Sequence, residues 1–261
     1  DLRESGCLTG DSLVVLADTG QPVPIAQLAG RSGFKVWALN ETTLKLEASE
    51  VSRAFSTGIK PVYRLVTRLG REIHATANHP FRSFDGWKRL DQLESGERIA
   101  LPRITPAAET ATLSISEAAL LGHLIGDGCT LPRHAIQYTT AEMDLAQQVT
   151  TLSAQVFGDT VRPRIQQERQ WYQVYLTASD HLTHGVHNPV AAWLQQMDVF
   201  GLRSYEKHVP AVVFQQPAPI IAVFLRHLWS TDGCIQPPRK ESRHPSVYYA
   251  TSSAALAHDV Q

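Results

Sequence analysis

The sequence predicts an all-β amino-terminal region followed by an α+β region, and three observations predict it. Short runs of β-branched and aromatic residues, punctuated by Gly, Pro, Asp and Asn, fill the first hundred positions. From Ser114 the apolar period becomes that of a helix. The second region also repeats itself. At 261 residues and 43% hydrophobic, the chain suits one large domain or two small ones and is too apolar to be disordered.

In chain order, SLVVL (12–16), FKVWAL (34–39), KPVYRLVTR (60–68) and REIHA (71–75) read as strands. Leu69-Gly70 splits the last two as a tight hairpin. GWKRLDQL (86–93) reads as one or two helical turns, and ITPAAETATL (104–113) as a linker. Ile115, Ala118, Ala119, Gly122 and Ile125 share one face of a predicted helix. Residues 141–157, 190–197 and 220–229 repeat that rhythm, with strands at 171–177 and 247–251 between or after them. LLGHLIGDGC (120–129) matches FLRHLWSTDGC (224–234), and IQYTTAEMDLAQQV (136–149) aligns without gaps on VYYATSSAALAHDV (247–260). The second copy stops inside its second helix, so a fragment of a longer polypeptide is expected.

Lys plus Arg is 24 against 25 Asp plus Glu, so no bulk charge advertises a nucleic-acid partner. The three cysteines, Cys7, Cys129 and Cys234, lack CxxC spacing. That argues against a disulfide framework or structural zinc and fits a reducing, cytoplasmic location. The longest strongly apolar stretch, 219–225, is too short to span a bilayer, and no secretory pattern opens the chain.

Cys7 follows Gly6, whose carbonyl is open to attack from the Cys7 sulfur. TANH (76–79) supplies a hydroxyl and an imidazole just after a predicted strand. His79 could protonate a departing amide nitrogen, and Thr76 could stabilise an oxyanion. The alternative is a buried cysteine with Thr76 and His79 filling a strand end and a turn.

CLTGDSLV (7–14) resembles the opening block of an intein, GREIHATANHPF (70–81) the block carrying its TxxH motif, and GWKRLDQLESGERIALPR (86–103) the close of the amino-terminal splicing region. DLRESG (1–6) resembles the sequence upstream of inteins in bacterial replicative helicases of the DnaB type. The resemblance implies a Hint horseshoe of β-strands. It implies an N–S acyl shift by Cys7 on the Gly6 carbonyl, assisted by His79, with Thr76 holding the oxyanion. It also implies flanking helicase segments, a carboxy-terminal intein segment missing from this chain, and a host that uses ATP to unwind DNA, although no P-loop lies in this stretch.

ALLGHLIGDG (119–128) and FLRHLWSTDG (224–233) resemble the paired helices of a LAGLIDADG, or DOD-type, homing endonuclease. Small residues at Gly122 and Gly126 permit close helix approach, and Asp127 and Asp232 end the two helices. Together the two acids could bind Mg²⁺ for hydrolysis of double-stranded DNA. Lys207 resembles the lysine placed before the second such helix, with an electrostatic role; a solvated surface lysine is the alternative. Trp229 and Ser230 depart from tight packing. Residues 114–261 carry 10 Lys plus Arg against 12 acids, so a DNA footprint must be local. Its candidates are Arg162, Arg164 and Arg169, and Arg239, Lys240 and Arg243. A decayed insert that binds DNA without cutting, or does nothing, is the competing reading. HLTHGVH (181–187) spaces three histidines but lacks further metal ligands. The expected division is a flanking tail at 1–6, a splicing region at 7–105, a linker at 106–113 and the endonuclease at 114–261.

Overall fold

The computed structural model describes residues 6–102, 105–106, 110–180, 187–238 and 244–261. Its contacts divide the chain into two units, residues 1–108 and 109–261.

In the first unit, hairpins follow one another. β1 (Leu13–Val15) pairs antiparallel with β2 (Pro22–Pro24), which runs into α1 (Ile25–Leu28). β3 (Lys35–Asn40) pairs with β4 (Lys45–Glu50), β5 (Tyr63–Val66) with β6 (Glu72–Ala75), and β7 (Pro80–Ser83) with β8 (Gly86–Arg89). A single bridge, Leu16 to Val36, joins the first two pairs, and two others tie Leu8 to Ala75 at the end of β6 and Ile99 to Ser83 at the end of β7. The described residues thus form short two-stranded sheets in series, and no closed barrel is among them. Leu16, Val23 and Leu28 form the small core, with Val14, Phe34 and Ala54 against it.

Two local expectations change. The hairpin at Leu69-Gly70 has a three-residue loop, because Thr67 N–H donates to the Arg71 carbonyl at 2.9 Å and Gly70 takes φ +83°. A glycine in the left-handed region closes such loops without steric cost. The expected helical turns at 86–93 are strand β8 followed by a 3₁₀ turn at Leu90–Gln92. Pairing with β7 wins over the weak local pattern.

The second unit opens on α2 (Ile115–Asp127), whose start is a capping box. Glu117 N–H donates to Ser114 Oγ at 3.2 Å, and Ser114 N–H donates to Glu117 Oε2 at 2.8 Å. Such a cap stabilises by about 1 kcal/mol. Ile115, expected on the apolar face, is 65% exposed at the first helical position, while residues 118–125 are buried. β9 (Gly128–Cys129), β10 (Gln137–Thr140), β11 (Val161–Glu168) and β12 (Trp171–Ala178) make one antiparallel sheet, in the order β11-β12-β10-β9. α3 (Met143–Phe157) precedes β11, and α4 (Pro189–Gln196), capped by the Asn188 side chain, follows β12. After α5 (Ala211–Phe214) come α6 (Ala218–Asp232), β13 (Gly233–Gln236), β14 (Ser246–Tyr249) and α7 (Ala254–Asp259).

The internal repeat is visible in the strand register. Gly128 pairs with Tyr138, and Gly233 pairs with Tyr249. The order α2-β9-β10-α3 recurs as α6-β13-β14-α7. α2 and α6 touch backbone to backbone. A Cβ at Gly122 would lie 2.6 Å from the Phe224 carbonyl oxygen and 3.0 Å from His227 Cβ. At Gly126 it would lie 2.1 Å from Thr231 Oγ1. His227 and Thr231 are the repeat partners of Gly122 and Gly126, so each small residue faces its own counterpart. Trp229 and Ser230 do not obstruct this seam. Trp229 stacks on Tyr249 at 5.1 Å between ring centroids, and the Ser230 hydroxyl donates to the Arg226 carbonyl at 2.9 Å on an exposed face.

Inside the seam, His123 Nε2 lies 2.9 Å from His227 Nδ1 and 3.3 Å from Gln148 Oε1, and His123 Nδ1 lies 3.2 Å from the Tyr138 hydroxyl. One neutral tautomer is compatible with this set, with a single Nε2–H shared between His227 Nδ1 and Gln148 Oε1 and Nδ1 accepting from the Tyr138 hydroxyl. Burial, and next the His227 ring, push the His123 pKa down to about 4. Among the described residues, no helix is long and apolar enough to cross a membrane.

Candidate functional site

The first unit assembles its site from three stretches of chain. The Leu8–Ala75 bridge lays Cys7 alongside the end of β6, and Thr76 N–H donates to the Cys7 carbonyl at 2.9 Å. In return Cys7 N–H donates to Thr76 Oγ1 at 2.9 Å. That nitrogen belongs to the Gly6–Cys7 peptide bond, so the buried threonine hydroxyl sits on the amide that an N–S shift would break. Its own hydrogen points to Asn78 Oδ1 at 2.8 Å. The expectation put Thr76 on the carbonyl side, and the structure places it on the nitrogen side.

His79 closes the other side of that amide. Its N–H donates to the Thr76 carbonyl at 2.9 Å, which makes the turn that brings the ring back. The fit against Gly6 is tight: a Cβ there would stand 2.2 Å from His79 Cα and 2.8 Å from His79 N. Burial pushes the imidazole below its ordinary pKa, and the Gly6 main chain partly offsets this. His79 Nδ1 is buried without a hydrogen-bond partner. Phe81 packs edge-on at 5.2 Å.

The sulfur itself meets residues that sequence reasoning missed. Thr57 Oγ1 donates to Cys7 Sγ at 3.2 Å, and Lys60 Nζ approaches it to 3.7 Å. These residues are 50 and 53 positions from Cys7, so no local spacing reveals them.

In the second unit, α2 and α6 end together, bringing Asp127 and Asp232 to neighbouring positions. Burial, and then the Asp232 carboxylate, push Asp127 up to about 6, while Lys207 acts in the opposite sense. Lys207 Nζ donates to the Gly126 carbonyl at 2.7 Å and to the Gly128 carbonyl at 3.0 Å. Burial lowers the Lys207 pKa, against the pull of the two aspartates. The second repeat copy helps hold this lysine's segment, since Val209 N–H donates to Asp259 Oδ2 at 2.9 Å. Among the described residues, no group of three or more His, Cys, Asp or Glu side chains is arranged to hold a metal ion. The site therefore offers two carboxylates and a lysine.

Of the basic candidates, Arg162 and Arg164 lie on exposed positions of β11, and Arg164 stacks over the Tyr175 ring at 5.3 Å. Arg169 sits in the turn to β12 with φ +56°. Arg239, Lys240 and Arg243, and the first histidines of HLTHGVH, lie outside the described residues.

Known proteins resemble this chain along its length. Replicative DNA helicase DnaB of a Nostoc species is 60% identical over 261 residues, which is 100% of this chain and 30% of the helicase. The DnaB protein of Rhodothermus marinus is 60% identical over the same span, 28% of its length. The chain thus covers less than a third of these relatives. A crystal structure of a DnaB intein from Synechocystis superposes with a TM-score of 0.37 at 58% identity, over 38% of this chain and 70% of that one. The intein splicing domain family matches residues 14–249, and the chain belongs to that family.

Proposed function

We propose that this chain is the amino-terminal part of an intein carried in a DnaB-type replicative helicase, and that it begins protein splicing by an N–S acyl shift at Gly6–Cys7. The observation that carries this reading is the Thr76 hydroxyl on the scissile nitrogen at 2.9 Å, with His79 packed on Gly6. The sulfur attacks the Gly6 carbonyl carbon, and the bond to the Cys7 nitrogen breaks. The thiol gives up one proton and the nitrogen gains one, so the shift is an isomerisation. A half-buried neutral imidazole can accept the first proton and deliver the second, because its depressed basicity makes its protonated form a stronger acid. Thr76 holds the amide N–H in place as the nitrogen becomes pyramidal.

The second unit is proposed as a LAGLIDADG-type endonuclease acting on double-stranded DNA. Support comes from the repeat register, the backbone contact of α2 with α6, and the paired Asp127 and Asp232. Two carboxylates are the hard oxygen donors that Mg²⁺ prefers, and they fit an ion shared with DNA phosphate. Such an ion supplies Lewis-acid polarisation of the phosphate and a more acidic water. Lys207 has a third donor beyond the two carbonyls it binds, and we assign it to phosphate or the attacking water. Arg162 and Arg164 would contact the duplex. A DNA-binding or inert insert is the second reading, favoured by the acidic balance of this unit. The helicase activity of the host, with its ATP, would belong to segments outside this stretch.

The test uses the complete precursor, this chain joined to the rest of its intein and flanks. Cys7→Ala should abolish release of the upstream segment by dithiothreitol, and continued release would remove Cys7 as nucleophile. Plasmid bearing the intein-less helicase gene should be cut in Mg²⁺ by the parent protein and not by Asp127→Asn. No cutting by either protein leaves the inert-insert reading standing.

A further inference from the structure

Two donors converge on the Cys7 sulfur from a single loop. Thr57 and Lys60 flank Gly58, whose φ of +81° folds the chain back there. The hydroxyl reaches Sγ at 3.2 Å and the ammonium at 3.7 Å. Both side chains are half-buried, so water is partly excluded and the charge of Lys60 acts over a short range. Neither the family match nor the TxxH block assigns these residues a role.

We propose that Thr57 and Lys60 are the positioning pair for the nucleophile. They fix the sulfur's rotamer and balance the negative charge it carries as it attacks the Gly6 carbonyl carbon. The division of labour is geometric. Thr76 and His79 serve the bond that breaks, whereas Thr57 and Lys60 serve the bond that forms. A hydroxyl gives direction through one hydrogen bond, and an ammonium gives charge with little directional demand. As Sγ bonds to carbon its charge disperses, and both donors release it without any covalent change of their own. This inference rests on the splicing reading for its purpose, but the pair can be tested without it.

Alkylation of Cys7 by iodoacetamide at pH 7 reads the sulfur directly, in the 261-residue chain with Cys129 and Cys234 replaced by Ala. Lys60→Met should slow alkylation about five- to tenfold and Thr57→Val about threefold. Lys60→Arg and Thr57→Ser should keep most of the parent rate, which a general loss of structure would not allow. Equal rates in parent and Lys60→Met chains, with matching circular dichroism, would overturn the proposal. In the full precursor, Lys60→Met should slow thiol-induced upstream release by about tenfold, and unchanged release would also overturn it. A parent precursor that fails to splice removes the splicing reading, and the alkylation series still decides the donor pair.

Discussion

Gly6 is the residue at which the tightest contact and the proposed chemistry coincide. Its missing Cβ leaves room for the backbone of His79, and a backbone atom cannot rotate aside as a side-chain tip can. Gly6→Ala should therefore push the 76–79 turn away from the scissile amide. We expect thiol-induced release of the upstream segment to slow at least tenfold, as followed by gel densitometry over time. An unchanged rate would show that the turn yields freely. Cys7, Thr76 and His79 were readable because a motif keeps two of them three positions apart and places the third at a block start. Thr57 and Lys60 were not. Their partner lies 50 or more residues away, and the approach of the 57–60 loop to the sulfur is a tertiary event.

The seam between α2 and α6 shows what an element adds to its residues. Its small residues could be read from spacing alone, and so could the strands at 171–177 and 247–251, whereas the short strands β9 and β13 that directly follow the two helices could not. Strand β8 was read as helical turns because its four residues, Gly, Trp, Lys and Arg, fit either period. The strands β2 and β4 were overlooked because prolines and charged residues mask their pattern. The His123–His227 pair escaped as well, since a histidine in an apolar stretch carries no sign of its partner. That pair sets a pH dependence. The folded-state pKa of His123 is depressed, so its contribution to stability is present above its unfolded value of 6.5 and is lost as pH falls toward about 4. The full excursion is about 3 kcal/mol. Asp127 works the other way, because its raised pKa favours the fold at the acid end of that window. Denaturant titrations at pH 4.5 and pH 7 should therefore show a smaller acid loss in His123→Gln than in the parent. Parallel losses would show that the ring is protonated without cost.

Over the whole chain, each unit has a separate core, three fully apolar residues in the first and a much larger set in the second. Apolar burial drives folding in proportion to area, so the first unit should melt at the lower temperature. Calorimetry should resolve two transitions. Gly126→Val, which overfills the seam against Thr231, should lower only the upper one, by about 5 °C. A single transition, or movement of both, would contradict this. The β-then-α+β order was legible in the change of apolar period at Ser114. The way the hairpins follow one another was not, because isolated bridges such as Leu16–Val36 leave no pattern in the sequence. One consequence follows from the unequal seam. Glycines stand at 122 and 126 where their counterparts are His227 and Thr231, so one helix is a socket and the other a plug. Two plugs would collide, and two sockets would forgo the contacts that His227 and Thr231 supply. Each half is therefore better suited to the other half than to a second copy of itself, a steric rule that disfavours like halves of neighbouring chains pairing when many are made side by side.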